Sequence, residues 1–402
     1  MSKKFLLISQ VFYPDQVSTA NLFADMCSVL AGDNIDVEVW SAQPSYTENR
    51  RQPSEMKYNG FVIRYLPSTN FRKNSIFGRI LNILTFTLSA GFRLLFSADK
   101  TPVWTHTTPP FTGIFISFIC SAKKRKLVYI LLDIFPEGLL RVGKVSATNP
   151  FIKLWHNLFI KALKRSEKII VIGRDIKSWV ENVCPECNGR IEYIPHWQDD
   201  RLIFPIDFET NEFVLKNDLK NKFIVQYSGN MGLWNEVRTM GKAVRQNLED
   251  VVFMFVGGGL RKKELFEEFV TENQPNVIAL PFQPNEEFKT TLNAAKVHLV
   301  TLGKGLEGMA VPCKIYGILA SGIPVIAMVP ASSEVAYVVK EENCGIVLNP
   351  GDLAGLIETI LLFKSNENLR KQMGMNGRLA FEKKYTTRII ADEYKALLNE
   401  LS

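Results

Sequence analysis

Residues 305–327 read GLEGMAVPCKIYGILASGIPVIA and follow an apolar run, VHLVTL, at 297–302. Pro312 suits the first turn of a helix and Gly322 its C-terminal stop, so the spacing predicts a helix over 312–321. A buried strand before it and the apolar PVIA after it make this a strand, loop, helix and strand in succession. Glu307 stands in the glycine-flanked loop and Lys314 in the first helical turn. A cation there is slightly unfavourable in isolation, because the helix dipole already makes that end positive. It becomes favourable if an anion such as a diphosphate sits in front of it, with Glu307 accepting hydrogen bonds from neighbouring hydroxyls. The plainer alternative is a solvated lysine and a solvated loop acid.

Working outward, the same alternation runs through the chain. FLLIS, DVEVWSA, FVIRYL, PVWTHT, KLVYILL, KIIVIG and RIEYIP are strand candidates in the first half. FIVQYSG, VVFMFVGGG, VIALPF, VHLVTL, PVIAMV and GIVLN follow after residue 220. Short, continuous, β-branched runs between amphipathic stretches indicate buried parallel strands, so the fold class is α/β with two doubly wound, Rossmann-like domains. The polar stretch at 194–213, broken by prolines, marks the joint. The expected division is a domain over 1–200, a second over 201–385 and a final helix over 386–402 that packs back on the first. Ligands of such sheets sit at the carboxyl ends of the strands, which places an expected site in a cleft between two facing sheets.

The chain has 402 residues, of which 46% are hydrophobic and 22% charged, the composition of a folded globular protein. Its formal charge is +7, and the excess lies in the first half, where residues 1–200 hold 25 Lys/Arg against 17 Asp/Glu. Residues 56–132 hold eleven basic residues and one acid, Asp99. A basic half wants an anionic partner. Six cysteines are scattered without a disulfide framework, and MSKKFLLISQVFYP lacks the features of a signal peptide. The expectation is a cytoplasmic protein with reduced thiols, in which CPEC at 184–187 is an ordinary loop and no metal site forms.

Two more glycine-rich turns end strands of the second half. VQYSGNMG presents Gly229, Asn230 and Gly232, and FVGGGLRKKEL presents Gly258 and Gly259 ahead of Arg261. Glycine lets backbone N–H groups approach a phosphate closely, and a following helix offers its positive end. Tight turns also use glycine structurally, and neither stretch fits a P-loop or GxGxxG.

The order GN-G, VGGG, LPF, EGMAVPCK and ASGIPVIA resembles the family 4 glycosyltransferases of the GT-B fold. The likeness is nearest to the bacterial subgroup that builds O-antigen, capsule and colanic-acid repeats, including L-fucosamine transferases. In the first half, VFYPDQVSTANLFADMCSVL resembles the family's opening loop and helix, LLDIFPEGLLRVG its acceptor-side motif, and IPHWQDDRLIFP its joint. The resemblance implies transfer of a sugar from a nucleoside-diphosphate donor, UDP-linked, with retention and without a metal or other cofactor. Lys314 would then neutralise the departing diphosphate, Glu307 hold sugar hydroxyls, and Gly229, Asn230, Gly258, Gly259, Arg261 and Pro312 border the phosphates. Phe282 and Pro284 fall where the family holds the base. On the acceptor side it points to Tyr13, Asp15, Gln16, His106 and Glu137, with Asp133 the preferred group to deprotonate the acceptor hydroxyl. Three positions depart from the pattern: Asn230 and Asn235 stand on a turn where many members carry Arg and Lys, and Gly317 where they carry a ribose-binding Glu.

FRKNSIFGRILNILTFTLSAGFRLLF (71–96) mixes aliphatic and aromatic residues with Arg72, Lys73, Arg79 and Arg93. FTGIFISFICSAKKRK ends on Lys123, Lys124, Arg125 and Lys126. Arginines interrupt the first segment and the second is short, so neither reads as a membrane-spanning helix. Aromatic and aliphatic residues beside Lys and Arg suit a surface resting on anionic lipid, peripheral on the inner face of the cell membrane. That placement fits an acceptor saccharide held on a polyprenyl diphosphate. Nucleic acid is the poorer partner, because no recognition module appears. A nucleotide-sugar epimerase of the same fold and a non-catalytic nucleotide- or lipid-binding protein are the alternatives.

Overall fold

The computed structural model describes residues 3–44, 50–71, 75–271 and 274–401, and divides into Met1–Pro195 with Thr387–Ser402 and His196–Thr386. In the first unit the strands are β1 (Lys4–Ile8), β2 (Asp36–Ser41), β3 (Glu55–Tyr58), β4 (Phe61–Tyr65), β5 (Val103–His106), β6 (Leu127–Leu131), β7 (Lys168–Val171) and β8 (Ile191–Tyr193). Their order across the sheet is β3-β4-β2-β1-β5-β6-β7-β8, parallel throughout except for β3 on β4. Seven coincide with the apolar runs; β3, EMKY, alternates half-buried and exposed residues and was not anticipated, because an edge strand needs no apolar face.

The second unit holds β9 (Phe223–Ser228), β10 (Val251–Val256), β11 (Val277–Leu280), β12 (Val297–Thr301), β13 (Val325–Met328) and β14 (Gly345–Leu348), ordered β11-β10-β9-β12-β13-β14 and all parallel. β9, β10 and β12 are buried along their whole length, as strands covered by helices on both faces must be. The order reverses between β9 and β12, so the turns after these strands, and after their neighbour β10, share the carboxyl edge at a switch point.

The final helix, Thr387–Leu401, belongs to the first unit. It packs on the Ser18–Gly32 helix, and Tyr394 lies 5.6 Å from Trp104 of β5, centroid to centroid. Arg388 and Lys395 both reach Asp33, at 2.8 and 2.6 Å, and hold its carboxyl at about 2.

Two expectations are corrected here. Cys184 and Cys187 form a disulfide: the single helical turn Pro185–Cys187 returns the chain so that their Cα atoms are 5.5 Å apart, and both are buried. Arg125 is not part of a basic surface. It is 5% exposed, its Nε donates to Thr101 O, and burial depresses its ionisation. Lys123 donates to Ser97 O at 2.8 Å and so caps the end of the preceding helix, while Lys126, exposed, donates to Leu401 O at 2.7 Å. Of the four-residue cluster, Lys124 is exposed at φ 52° on the turn. Arg72 and Lys73 lie outside the described residues.

Candidate active site

The second unit brings the residues expected on the donor side to the carboxyl edge of its sheet. The turn after β9 and the turn after β10 are laced together: Gly229 N donates to Val256 O at 2.8 Å, Met231 N to Gly258 O at 2.6 Å, and Arg261 N to Met231 O at 2.9 Å. Gly257 (φ 120°) lies so close that a Cβ would overlap Gly229 O, and one on Gly259 (φ 119°) would overlap Met231 O. Both glycines are therefore dictated by the mutual packing of two turns. Arg261 is turned inward, with Nη1 donating to Asn235 O and Nε 3.3 Å from Glu264. Asn235 accepts from Gly232 N at 2.8 Å and donates to Thr301 O at 3.0 Å, tying this turn to the end of β12. Asn235 thus has a structural role in the turn.

Glu307 sits in a turn between Gly305 (φ 76°) and Gly308 (φ 74°). The helix that follows spans Lys314–Ser321, two residues later than Pro312 predicts, and ends on Gly322 at φ 69° in the left-handed region. Lys314 is its first residue. Its Nζ lies 3.4 Å from the centre of the Tyr227 ring, and the space where Gly229 would carry a Cβ is 3.6 Å from that nitrogen. The nitrogen is buried and has no hydrogen-bond partner among the described residues. Burial holds the ammonium form well below the usual lysine range. The charge of Lys314 also opposes protonation of His298, whose imidazole burial pushes down to about 4. Phe282 is 61% exposed and flanks Gly258, and Pro284 precedes the Asn285–Leu292 helix. Gly317 is buried, with Ile203 and Leu292 as the nearest atoms to a side chain placed there.

In the first unit the carboxyl ends of β5 and β6 bring His106, Thr107 and Asp133 together. Thr107 Oγ1 accepts from Leu132 N at 3.0 Å and Asp133 N at 3.2 Å. Asp133 is half-buried, and desolvation pushes its carboxyl up to about 6. Thr108 N donates to His106 Nδ1 at 3.3 Å, which leaves Nε2 to donate to Ser9 Oγ at 2.9 Å; the imidazole stacks on Phe23. That arrangement fixes the tautomer and binds the histidine into the fold. Glu137 pairs with His156 Nδ1, a partner that its motif did not disclose. Tyr13 and Gln16 are exposed on the loop after β1 and Asp15 is buried. Sequence reasoning also missed Tyr227, the ring beneath Lys314. Its signal was an aromatic residue two places before Gly229, which reads equally well as core.

The two sheets, parallel but for the edge strand β3 and flanked by helices, with a glycine-laced carboxyl edge in the second unit, define the GT-B class. Sucrose-phosphate synthase from Thermosynechococcus elongatus superposes with a TM-score of 0.76 at 15% identity over 99% of both chains. Anabaena HepE in complex with UDP-glucose does so at 0.68 and 13% identity, over 99% of this chain and 100% of that one. Residues 207–380 match the family described as glycosyl transferases group 1. A probable glycosyltransferase of Pseudomonas aeruginosa, WbjE, is 26% identical over 58% of this chain and 60% of its own length. The match thus spans less than two thirds of that relative. WcaI of Escherichia coli (strain K12), named for colanic acid biosynthesis as a glycosyl transferase, is 25% identical over 92% of this chain and 95% of its own.

Proposed function

We propose that the chain is a glycosyltransferase that moves a sugar from a nucleoside-diphosphate donor, UDP-linked, to a saccharide carried on polyprenyl diphosphate in bacterial surface-polysaccharide synthesis. An N-acetylated deoxyhexosamine such as L-fucosamine is the sugar that the subgroup resemblance favours. The observation that carries the reading is the Lys314 nitrogen, buried against Gly229 and Tyr227 without an anionic partner among the described residues. A lysine in that state gains most from an incoming diphosphate, whose growing charge it meets as the sugar–oxygen bond breaks. No metal is needed for that step, and Glu307 on its glycine-flanked turn holds sugar hydroxyls. Asp133, with a carboxyl near 6, takes the proton of the acceptor hydroxyl as its oxygen bonds to the anomeric carbon. The family resemblance supports retention at that carbon, which requires the hydroxyl to enter on the face from which the diphosphate departs. The match to the group 1 family and the UDP-glucose complex of HepE support the donor class.

A membrane surface suits such an acceptor, and the acid-poor stretch at 56–132 supports peripheral docking on the cytoplasmic face. The test is a panel of UDP-, GDP- and dTDP-sugars measured for thermal stabilisation, followed by transfer to a lipid-diphosphate acceptor. Stabilisation by one nucleotide class, and turnover with a member of it, is the expected result. Indifference to all of them would refute the donor assignment.

A further inference from the structure

The helix Ile76–Phe96 carries apolar residues on both its buried and its exposed faces. One face, Phe86, Ala90 and Leu94, is fully buried in the core with Trp40, Leu66 and Ile116. The opposite face repeats at helical spacing as Phe77, Ile80, Leu84, Leu88 and Phe92, with Phe77 72% and Phe92 67% exposed. A surface helix of a globular protein turns polar residues outward there. The face continues across two neighbours, Pro110–Ala122 and Pro150–Arg165, which expose Phe111, Phe115, Phe118, Phe151 and Leu154. The three helices pack in sequence, and Phe111 approaches Phe151 with ring centres 6.3 Å apart. None of the three contains an Asp or Glu, whereas Arg79, Arg93, Lys153, Lys161, Lys164 and Arg165 lie on them.

Beside this face a groove of about 1130 Å³ runs between the Ile76–Phe96 helix and the sheet. Leu88, Phe92, Phe96, Phe115 and Ile119 wall it, and Trp40 forms part of its floor. Its inner carboxylates are already neutralised: Glu38 pairs with Lys4 at 3.0 Å and Arg64 at 2.6 Å, and Asp99 pairs with Lys4 at 2.9 Å. Arg93 also lines it, with its guanidinium 5.0 Å from the Trp40 ring centre and no carboxylate within ion-pairing distance among the described residues.

We propose that this face lies in the surface of an anionic bilayer and that the groove takes an acyl chain of a phospholipid whose phosphate is held by Arg93. The charge pattern selects the occupant. Two copies apposed through these helices would set arginine and lysine against their own kind, whereas an anionic interface meets an acid-free surface with opposite charge. Residues Phe77–Phe96 are long and apolar enough to cross a membrane, with a mean hydropathy of 1.3. Crossing would draw Phe86, Ala90 and Leu94 out of the core, so the helix lies along the interface. The inference is independent of sugar transfer and is tested on a chain with no nucleotide present.

The experiment measures co-sedimentation of the full chain with vesicles of phosphatidylcholine containing phosphatidylglycerol, the latter carrying chain bromines. Binding that rises at least tenfold over phosphatidylcholine alone, with emission quenched in wild type and less of it quenched in Trp40→Phe, is the expected result. Leu88→Glu with Phe92→Glu should abolish binding, and Arg93→Gln should weaken it about fivefold. These side chains are exposed, so circular dichroism should stay unchanged. Binding without Trp40-dependent quenching would overturn the groove. Equal binding to neutral vesicles, or a soluble dimer abolished by the Glu pair with no vesicle binding, would overturn the proposal as a whole.

Discussion

Lys314 presents its ammonium nitrogen to the face of Tyr227, 3.4 Å from the ring centre, on the side where Gly229 has no side chain. The ring supplies a cation with part of what water would give it, about 1–2 kcal/mol in a desolvated site. It does not replace a hydrogen-bonding anion. Lys314→Met should therefore cost transfer about 100- to 1000-fold in kcat, the size of losing one preorganised charge contact at a developing anion. The same change should leave the fold intact and raise stability by about 1–3 kcal/mol, because an unsatisfied buried polar group is removed. Steady-state kinetics and urea melts of one variant check both halves; lower stability with normal turnover would reverse the reading.

Donor binding should be linked to protonation. Burial lowers the Lys314 pKa in the free chain, and a diphosphate against the nitrogen raises it. Binding then takes up a proton between those two values, so affinity falls as pH rises, by up to tenfold per pH unit. Above about pH 7.5, clear of a phosphate's second ionisation near 6, the lysine dominates this effect. Titration calorimetry of UDP in buffers of different ionisation enthalpy should show proton uptake that vanishes in Lys314→Met. Heats independent of buffer would show that the ammonium is already formed in the free chain.

For Asp133, desolvation raises the carboxyl to about 6, and a base must be ionised to work. Transfer should rise with pH through about 6, and Asp133→Asn should lose about 100- to 10 000-fold in rate along with that limb. The stability effect has the opposite sign. A folded pKa above the unfolded one gives stability that is present at low pH and lost as pH rises through 6. Asp133→Asn should then be the more stable protein at pH 7.5, by about 1–2 kcal/mol. A rate limb that persists in the Asn variant would assign the titration to another group.

Much of this was legible in the sequence because parallel strands covered on both faces are written as unbroken β-branched runs, and each such run became a strand. The turns that carry the candidate residues were legible for a related reason: glycines at strand ends and Gly322 at a helix end mark where the chain must turn. The edge strand Glu55–Tyr58 was not, since its pairing is decided by its neighbour β4. Nor was the fate of KKRK. Four consecutive cations read as a surface, yet Arg125 is carried inward just ahead of β6, where its Nε meets the carbonyl of Thr101. Tyr227 and His156 were hidden because an aromatic in a buried strand and a lone histidine in an amphipathic helix have ordinary roles. Only the fold sets one under Lys314 and the other against Glu137.

The two laced turns give a backbone test of the donor edge. Gly257→Ala would bring a methyl onto Gly229 O and place a side chain at φ 120°, a region closed to it. The turns after β9 and β10 must then separate, which moves Gly229 away from Lys314. A loss of about 2–4 kcal/mol in stability is expected, with UDP stabilisation abolished. Gly305→Ala meets no atom within 4 Å and carries the milder strain of φ 76° alone, so it should cost about 1–2 kcal/mol and leave nucleotide binding detectable. Equal behaviour of the two variants in thermal shift would show that the lacing does not support the site.

The closing helix should matter to one unit and not to the other. Tyr394 is 1% exposed, packed beside Trp104, and its helix is anchored to Asp33 through Arg388 and Lys395. The exposed ion pairs contribute little, about 0–1 kcal/mol each, so the apolar seam is the stronger term. Tyr394→Ala leaves a large cavity between that helix and β5 and should cost about 3–5 kcal/mol. Hydrogen exchange should then quicken in β1, β5 and the Ser18–Gly32 helix, while β9, β12 and the Lys314–Ser321 helix keep their protection. UDP binding, proposed for the second unit, should change less than twofold. Faster exchange in β9 and β12 would mean that the two units do not unfold separately.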